Sequence, residues 1–247
     1  MKIKLHNSTY TGVAGSSMSE TRCEQTLDLY RFIQTHPGLT YRDVRSESVK
    51  EKLYKSESVL RTFCPLLREL GFIITDQNMP MSFTEDGEMF IHILAAIEQA
   101  KKVEDEETRN RLLEVLESAK SHTIQLGILN MNRSEEDICR EHNLWLVLYL
   151  LQHFTYFDWN EYWLALKVFI EDKSNLSDFK SQIENNRRNG VKYEAVNYEN
   201  GQELADTTYT YIRALLKEAN LIEDYDKGSR LTAEGNEFVK KITVWNL

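Results

Sequence analysis

Only three cysteines occur in the 247 residues, and Cys23, Cys64 and Cys139 lie scattered among apolar neighbours. An odd, dispersed set excludes a disulfide framework and fits buried thiols in a reducing, cytoplasmic compartment. No run of about 18 apolar residues is present, so no membrane span and no membrane partner are expected. The opening "MKIKLHNSTYTGVAGSSMSE" lacks the apolar stretch of a signal peptide. Basic residues are also in short supply: 30 Lys and Arg face 39 Asp and Glu, for a net charge of −9. Global attraction to nucleic acid is thereby excluded, and any DNA contact requires a local basic surface. Part of the acid sits in "VEDEETRNRLLEVLESA" (103–119), which reads as a solvated connecting helix.

Enzyme signatures are missing as well. None of the six histidines forms an i, i+4 pair, and no Cys-x-x-Cys, glycine-rich phosphate loop or Gly-x-Ser-x-Gly elbow occurs. His142 and His153 flank an apolar helix and read as partly buried or surface residues, not metal ligands. No catalytic residue, metal or cofactor is assigned. Glu171-x-Lys173 with Asp158 upstream could hold Mg²⁺ for phosphodiester cleavage, but that chemistry needs the two side chains on one face of a strand. Here Trp159, Tyr162, Trp163, Leu166, Phe169 and Ile170 recur at helical spacing, and on a helix residues two apart diverge by about 200°. A polar helix end is the simpler reading.

What the chain has is a repeat. "LLRELGFIITDQNMPMSFTEDGEMFI" (66–91) and "LLKEANLIEDYDKGSRLTAEGNEFV" (215–239) share Leu-Leu-basic-Glu, an apolar pair, a polar stretch and Phe/Leu-Thr-x-x-Gly-x-x-Phe. Helical patterns precede both. In the first copy "ETRCEQTLDLYRFIQTH" ends at Pro37-Gly38, Thr40 caps a helix over about 40–54, and Ser56 caps a third helix running to Leu70 with Pro65 inside it. Gly71 suits the residue after that helix, "FIIT" and "SF" form a hairpin, and Thr84 caps a closing helix. In the second copy the helices are "ICREHNLWLVLYLLQHF", "DWNEYWLALKVFIED" with Asp158 as its cap, and "GQELADTTYTYIRALLKEA". A hairpin and "TAEGNEFVKKI" follow, and residues 173–200 are an insertion between the second and third helices. The expected fold is therefore mainly α with small β-hairpin wings. Tandem winged-helix domains at 1–95 and 133–247 would be joined by a helical connector at 96–132.

A winged helix lays its third helix in the major groove and its wing on the backbone. In the first copy that helix offers Ser56, Ser58, Arg61 and Arg68, preceded by Lys50, Lys52 and Lys55. In the second it offers Thr207, Thr208, Thr210 and Arg213, preceded by Arg187, Arg188 and Lys192 of the insertion. Hydroxyls, Arg and Lys suit phosphates and purine edges, and each basic cluster also suits an ordinary solvated face. Helical spacing aligns Thr210, Arg213 and Lys217 and sends Ile212, Leu215 and Leu216 inward.

"NGQELADTTYTYIRALLKEANLIE" (200–223), with the apolar helix and Arg-rich segment ahead of it, resembles the recognition region of AlwI-type endonucleases, which are type IIS restriction and nicking enzymes. Ala205, Asp206, Tyr211, Ile212 and Arg213 match that pattern, and "LRELGFI" and "FTEDGEMF" resemble the start of those proteins. Thr210 and Gln202 stand where the family pattern has arginines. The family's metal-dependent nuclease domain would follow this region, and Leu247 ends the sequence before one. The resemblance implies sequence-specific recognition of double-stranded DNA in a restriction or phage-defence system, with a nuclease or other defence subunit as partner and self-association left open. The acidic charge suits a different class, a protein-binding tandem winged-helix subunit similar to the kite subunits of SMC-type complexes.

Overall fold

Helix dominates, as the sparse proline and glycine permit, and the sheets are small. The computed structural model describes residues 1–10, 17–76, 78–131, 143–226 and 228–242. Cys139, His142 and the Thr208 side chain, all singled out above, lie outside what is described. The chain divides into a continuous unit, residues 14–133, and a split unit made of residues 1–13 and 134–247. Residues 1–13, grouped above with the first repeat, thus belong with the second. Among the described residues no helix is long and apolar enough to cross a membrane.

The chain opens with β1 (Lys2–Leu5) and a single helical turn, α1 (Asn7–Tyr10), both in the split unit. The continuous unit then runs α2 (Glu20–Thr35), α3 (Tyr41–Lys50), α4 (Ser58–Glu69), β2 (Ile73–Ile74), β3 (Ser82–Phe83), α5 (Glu85–Ala100) and α6 (Glu106–Asn130). Thr40 caps α3 through a reciprocal pair with Asp43, as its sequence position leads one to expect. Ser56 does not cap α4. Glu57 holds that position without a side-chain bond, and the Ser56 hydroxyl pairs with that of Ser58 at 2.6 Å. Pro65 is accommodated within α4. Strands β2 and β3 pair antiparallel, with Ile73 opposite Phe83, and Thr40 forms a bridge to Pro80. Leu29, Val44, Leu60, Phe63, Leu67, Phe72 and Phe90 are buried in the core, with Phe72 stacked on Phe90 at 4.8 Å. Helix α6, expected as a connector, packs against α5 and α4 instead.

The split unit continues with α7 (Asn143–His153), β4 (Phe157–Asp158), a 3-10 turn (Trp159–Glu161), α8 (Tyr162–Ala165), a π-helical turn (Leu166–Glu171), α9 (Leu176–Arg188) and β5 (Glu194–Asn197). It ends with α10 (Thr207–Glu218), β6 (Ile222–Tyr225), β7 (Gly228–Leu231) and α11 (Ala233–Lys241). Every residue from Asn143 to Leu151 is buried, so α7 is the central helix, apolar on all sides. The single helix expected over 158–172 is instead three short helical forms in succession. Trp159, Tyr162 to Leu166, Val168 and Phe169 are all buried, so packing on every side, rather than one amphipathic stripe, sets the winding. Asp158 does cap the first turn, reciprocally with Glu161. The order of the antiparallel sheet is β4-β7-β6. The insertion supplies α9 and β5, and β5 pairs in parallel with β1, Lys2 opposite Glu194 and Leu5 opposite Asn197.

The repeat seen in the sequence is a repeat of one joint. In the continuous unit Phe72 N–H donates to Leu67 O (2.8 Å), Thr84 N–H donates to Phe72 O (3.0 Å), and the Thr84 hydroxyl donates to Gly71 O (2.6 Å) while accepting from Gly87 N–H (3.0 Å). In the split unit Leu221 N–H donates to Leu216 O (2.9 Å) and Thr232 N–H to Leu221 O (3.1 Å). There the Thr232 hydroxyl donates to Asn220 O (2.6 Å) and accepts from Gly235 N–H (2.8 Å). Gly71 (φ 77°) and Asn220 (φ 54°) hold the left-handed conformation that ends the preceding helix, which glycine and asparagine tolerate best. The threonine thus caps one helix and ties it to the end of another, in both units.

Candidate nucleic-acid interface

Helix α10 is oriented by aromatic packing on one side. Tyr209 stacks on Trp159 (5.7 Å between ring centroids) and meets Tyr162 and Trp163 edge-on, while Ile212, Leu215 and Leu216 are buried. Burial first, then Asp206, pushes the Tyr209 hydroxyl up to about 12. Thr207, Thr210 and Lys217 lie on the exposed side, with Arg213 partly exposed. The Thr210 hydroxyl donates to Asp206 O at 2.8 Å, so it is turned back on its own helix.

Arg213 reaches across to the hairpin. Its Nη2 donates to Asp224 Oδ1 at 2.6 Å, and Lys217 Nζ donates to Asp224 Oδ2 at 2.6 Å. Both cations are therefore engaged by one carboxylate on β6, the first strand of the hairpin. Lys217 and Arg213 together hold the Asp224 carboxyl down at about 2. On the same hairpin Arg230 pairs with Glu223 at 2.7 Å and lies over the Tyr225 ring at 4.6 Å.

The insertion behaves differently from the expectation. Arg187 grips Glu161 with two bonds, Nε to Oε1 at 2.6 Å and Nη2 to Oε2 at 2.7 Å, and Nη2 also donates to Tyr156 O at 3.1 Å. Its guanidinium stacks over Tyr156 at 4.1 Å. Glu161 is only 4% exposed and Arg187 26%. Burial pushes the Glu161 carboxyl above its usual range, and the pairing with Arg187 only partly offsets this. On Arg187 burial opposes the charge, but the Glu161 bonds outweigh it and the net shift is upward. Arg187, which the sequence offered to a phosphate, is thus bonded to Glu161 and the Tyr156 carbonyl within the fold. Arg188 is 79% exposed with Glu184 3.9 Å away, and Lys192 is exposed. Tyr156 also meets Tyr225 at 5.7 Å, so a ladder of rings and guanidinium groups runs from Arg187 to Arg230 and joins the insertion to the hairpin.

In the continuous unit Ser56 and Ser58 bond each other, as described, and Arg61 reaches Glu57 at 3.3 Å, an oxygen it shares with Arg45. Arg61 remains 61% exposed.

Glu171 is engaged by three donors within the split unit. Glu171 Oε1 accepts from His6 N–H (2.6 Å) and the Thr9 hydroxyl (2.8 Å), and Oε2 accepts from Lys167 (2.9 Å). Burial works against its charge, yet these three donors win and the carboxyl is held below its usual range. Lys173, two residues past the turn, has a φ of 52°. Among the described residues no cluster of three His, Cys, Asp or Glu side chains could hold a metal. Cys64 is 1% exposed, and burial pushes its thiol up to about 12, which leaves it no thiolate for nucleophilic work at neutral pH.

Sequence reasoning missed the Glu161–Arg187 and Asp224 contacts. A signal for the first existed: a glutamate inside "DWNEYWLALKVFI" must bury its charge, and a buried carboxylate requires a cation. Asp224 offered none, because hairpin register decides which acid faces Arg213. No protein-family model matches the chain, and no curated protein or solved structure matches it either.

Proposed function

We propose that each unit is a winged helix and that the chain recognises double-stranded DNA, with α10 entering the major groove. The observation that carries this reading is the repeated helix–hairpin–helix joint, which in the split unit turns Thr207, Arg213 and Lys217 away from the core beside a short hairpin. Phosphate contacts come from Arg188 and Lys192, with Arg61 serving the first copy. A place in a restriction or phage-defence system, alongside a separate nuclease, follows from the resemblance of residues 200–223 to AlwI-type recognition regions.

The test is a titration of a fluorescent 25-base-pair duplex between 50 and 200 mM salt. Binding is expected to weaken steeply with salt, and the Arg188→Ala, Lys192→Ala double variant to flatten the log–log slope by about 2. Arg213→Ala is expected to lower the ratio of specific to non-specific affinity, a bidentate guanine contact being worth about 1–3 kcal/mol. No binding even at 50 mM salt overturns the reading.

That outcome promotes the kite-like protein-binding alternative, which one observation favours. Helix α6 exposes Leu112 (41%), Val115 (68%), Leu126 (50%) and Leu129 (40%), which fall on one heptad seam with Ala119 and His122 at the positions between.

A further inference from the structure

We propose that Asp224 occupies, from within the chain, the place of a DNA phosphate between Arg213 and Lys217, so that the α10 surface is self-blocked until the carboxylate leaves. The proposal rests on the DNA reading above and adds its regulation.

The two cations stand one helical turn apart on α10, and each binds a different oxygen of the same carboxylate, both at 2.6 Å. That is the arrangement a phosphate would require of them: two oxygens of one anion, each met by a charged donor. The contact is also open. Arg213, Lys217 and Asp224 are 39%, 41% and 57% exposed, so an incoming anion has access without unfolding anything. Solvent-exposed pairs of this kind are weak, and exchange for a polyanion is correspondingly easy.

Arg213 and Lys217 share the Asp224 carboxylate. Glu223, the preceding residue, is already paired with Arg230 across the hairpin, in the register that places those two opposite each other. Arg213 is therefore directed at the hairpin strand, and departure of the Asp224 carboxylate would free both cations together, on non-specific DNA for one phosphate and on a cognate site for the base edge proposed for Arg213 and the backbone beside it. Non-specific DNA, which offers phosphates only, must compete with an internal anion, whereas a cognate site adds base contacts to the exchange.

The test compares wild type, Asp224→Asn and Asp224→Ser on the fluorescent 25-base-pair duplex of random sequence, across the same salt range. Both variants are expected to bind about 3- to 30-fold more tightly than wild type, from the loss of two exposed ion pairs, with a log–log salt slope steeper by about 2. The gain should vanish in the Arg213→Ala, Lys217→Ala background. If wild type binds the duplex and the variants match it in affinity and slope, the self-blocking proposal is wrong and the DNA reading stands. A gain that survives in the Arg213→Ala, Lys217→Ala background also overturns it. If none of the proteins binds at 50 mM salt, the DNA reading fails and takes this proposal with it. Circular-dichroism melts of both variants within a degree or two of wild type separate these outcomes from misfolding.

Discussion

Arg187→Ala is expected to destabilise the split unit by about 3–5 kcal/mol, the loss typical of removing one partner from a buried ion pair. The variant leaves Glu161, which is 4% exposed, with its charge and without the two guanidinium bonds at 2.6 and 2.7 Å. Tyr156 loses both the donor to its carbonyl and the cation over its ring. Glu161→Gln should be milder, because the amide keeps the shape and removes the buried charge. A double variant, Glu161→Leu with Arg187→Met, should recover much of the loss, since an apolar pair escapes the desolvation cost. The pH dependence has a definite sign. The Glu161 carboxyl is raised in the folded state. Its contribution to stability is therefore fully present below the unfolded carboxylate value and is lost as pH rises through the folded one. Urea melts of the four proteins at pH 5 and pH 8 check all of this. An Arg187→Ala protein as stable as wild type but weaker on DNA would restore the phosphate role for Arg187.

Gly235→Ala is expected to cost about 3 kcal/mol, at the upper end for an overpacked core position. A Cβ at Gly235 would lie 2.0 Å from the Leu221 carbonyl oxygen, which is itself held by Thr232 N–H at 3.1 Å and has little freedom to retreat. Gly87 meets the Phe72 carbonyl oxygen at the same 2.0 Å, so Gly87→Ala should cost the continuous unit a similar amount. Helix propensity alone predicts the opposite sign, alanine gaining about 1 kcal/mol over glycine within a helix. Close backbone approach decides it. Gly38 is the control: nothing lies within 4 Å of its would-be Cβ, and only its φ of 94° opposes a side chain. Gly38→Ala should therefore cost about 1 kcal/mol. Thermal unfolding of the three variants gives the comparison. Equal losses at Gly38 and Gly235 would show that the carbonyl contact is not what fixes the glycine.

These glycines also mark what was legible in the sequence. Thr-x-x-Gly stands out as a repeat because each of its members answers a local demand, the threonine to cap a helix and the glycine to let a carbonyl close in. Thr40 and Asp158 are legible for the same reason, since a cap acts within three residues of itself. That the stretch ahead of Glu171 is helical and not a strand was legible in its apolar spacing, although its division into three helical forms was not. Contacts set by distant packing were not legible. Nothing in "LKVFIE" distinguishes a π turn from an α-helix, because both bury the same apolar residues. The partner of Arg213 depended on which strand residue the hairpin register turned toward it. Arg187 looked like part of a basic cluster, and only its place beside a buried glutamate shows that it is spent.

The pairing of β1 with β5 bears on how the protein is made. Strand β1 is translated well before the stretch that receives it, the contact from Met1 N to Lys192 O spanning 191 residues. At about 5–20 residues per second, translation leaves that strand without its partner for roughly 10–40 s. The continuous unit, residues 14–133, is compact by itself and can fold in that interval. The nascent chain therefore carries an unpaired edge while its middle is already folded, and a chaperone that shields such edges would act on these residues before any other part of the split unit exists.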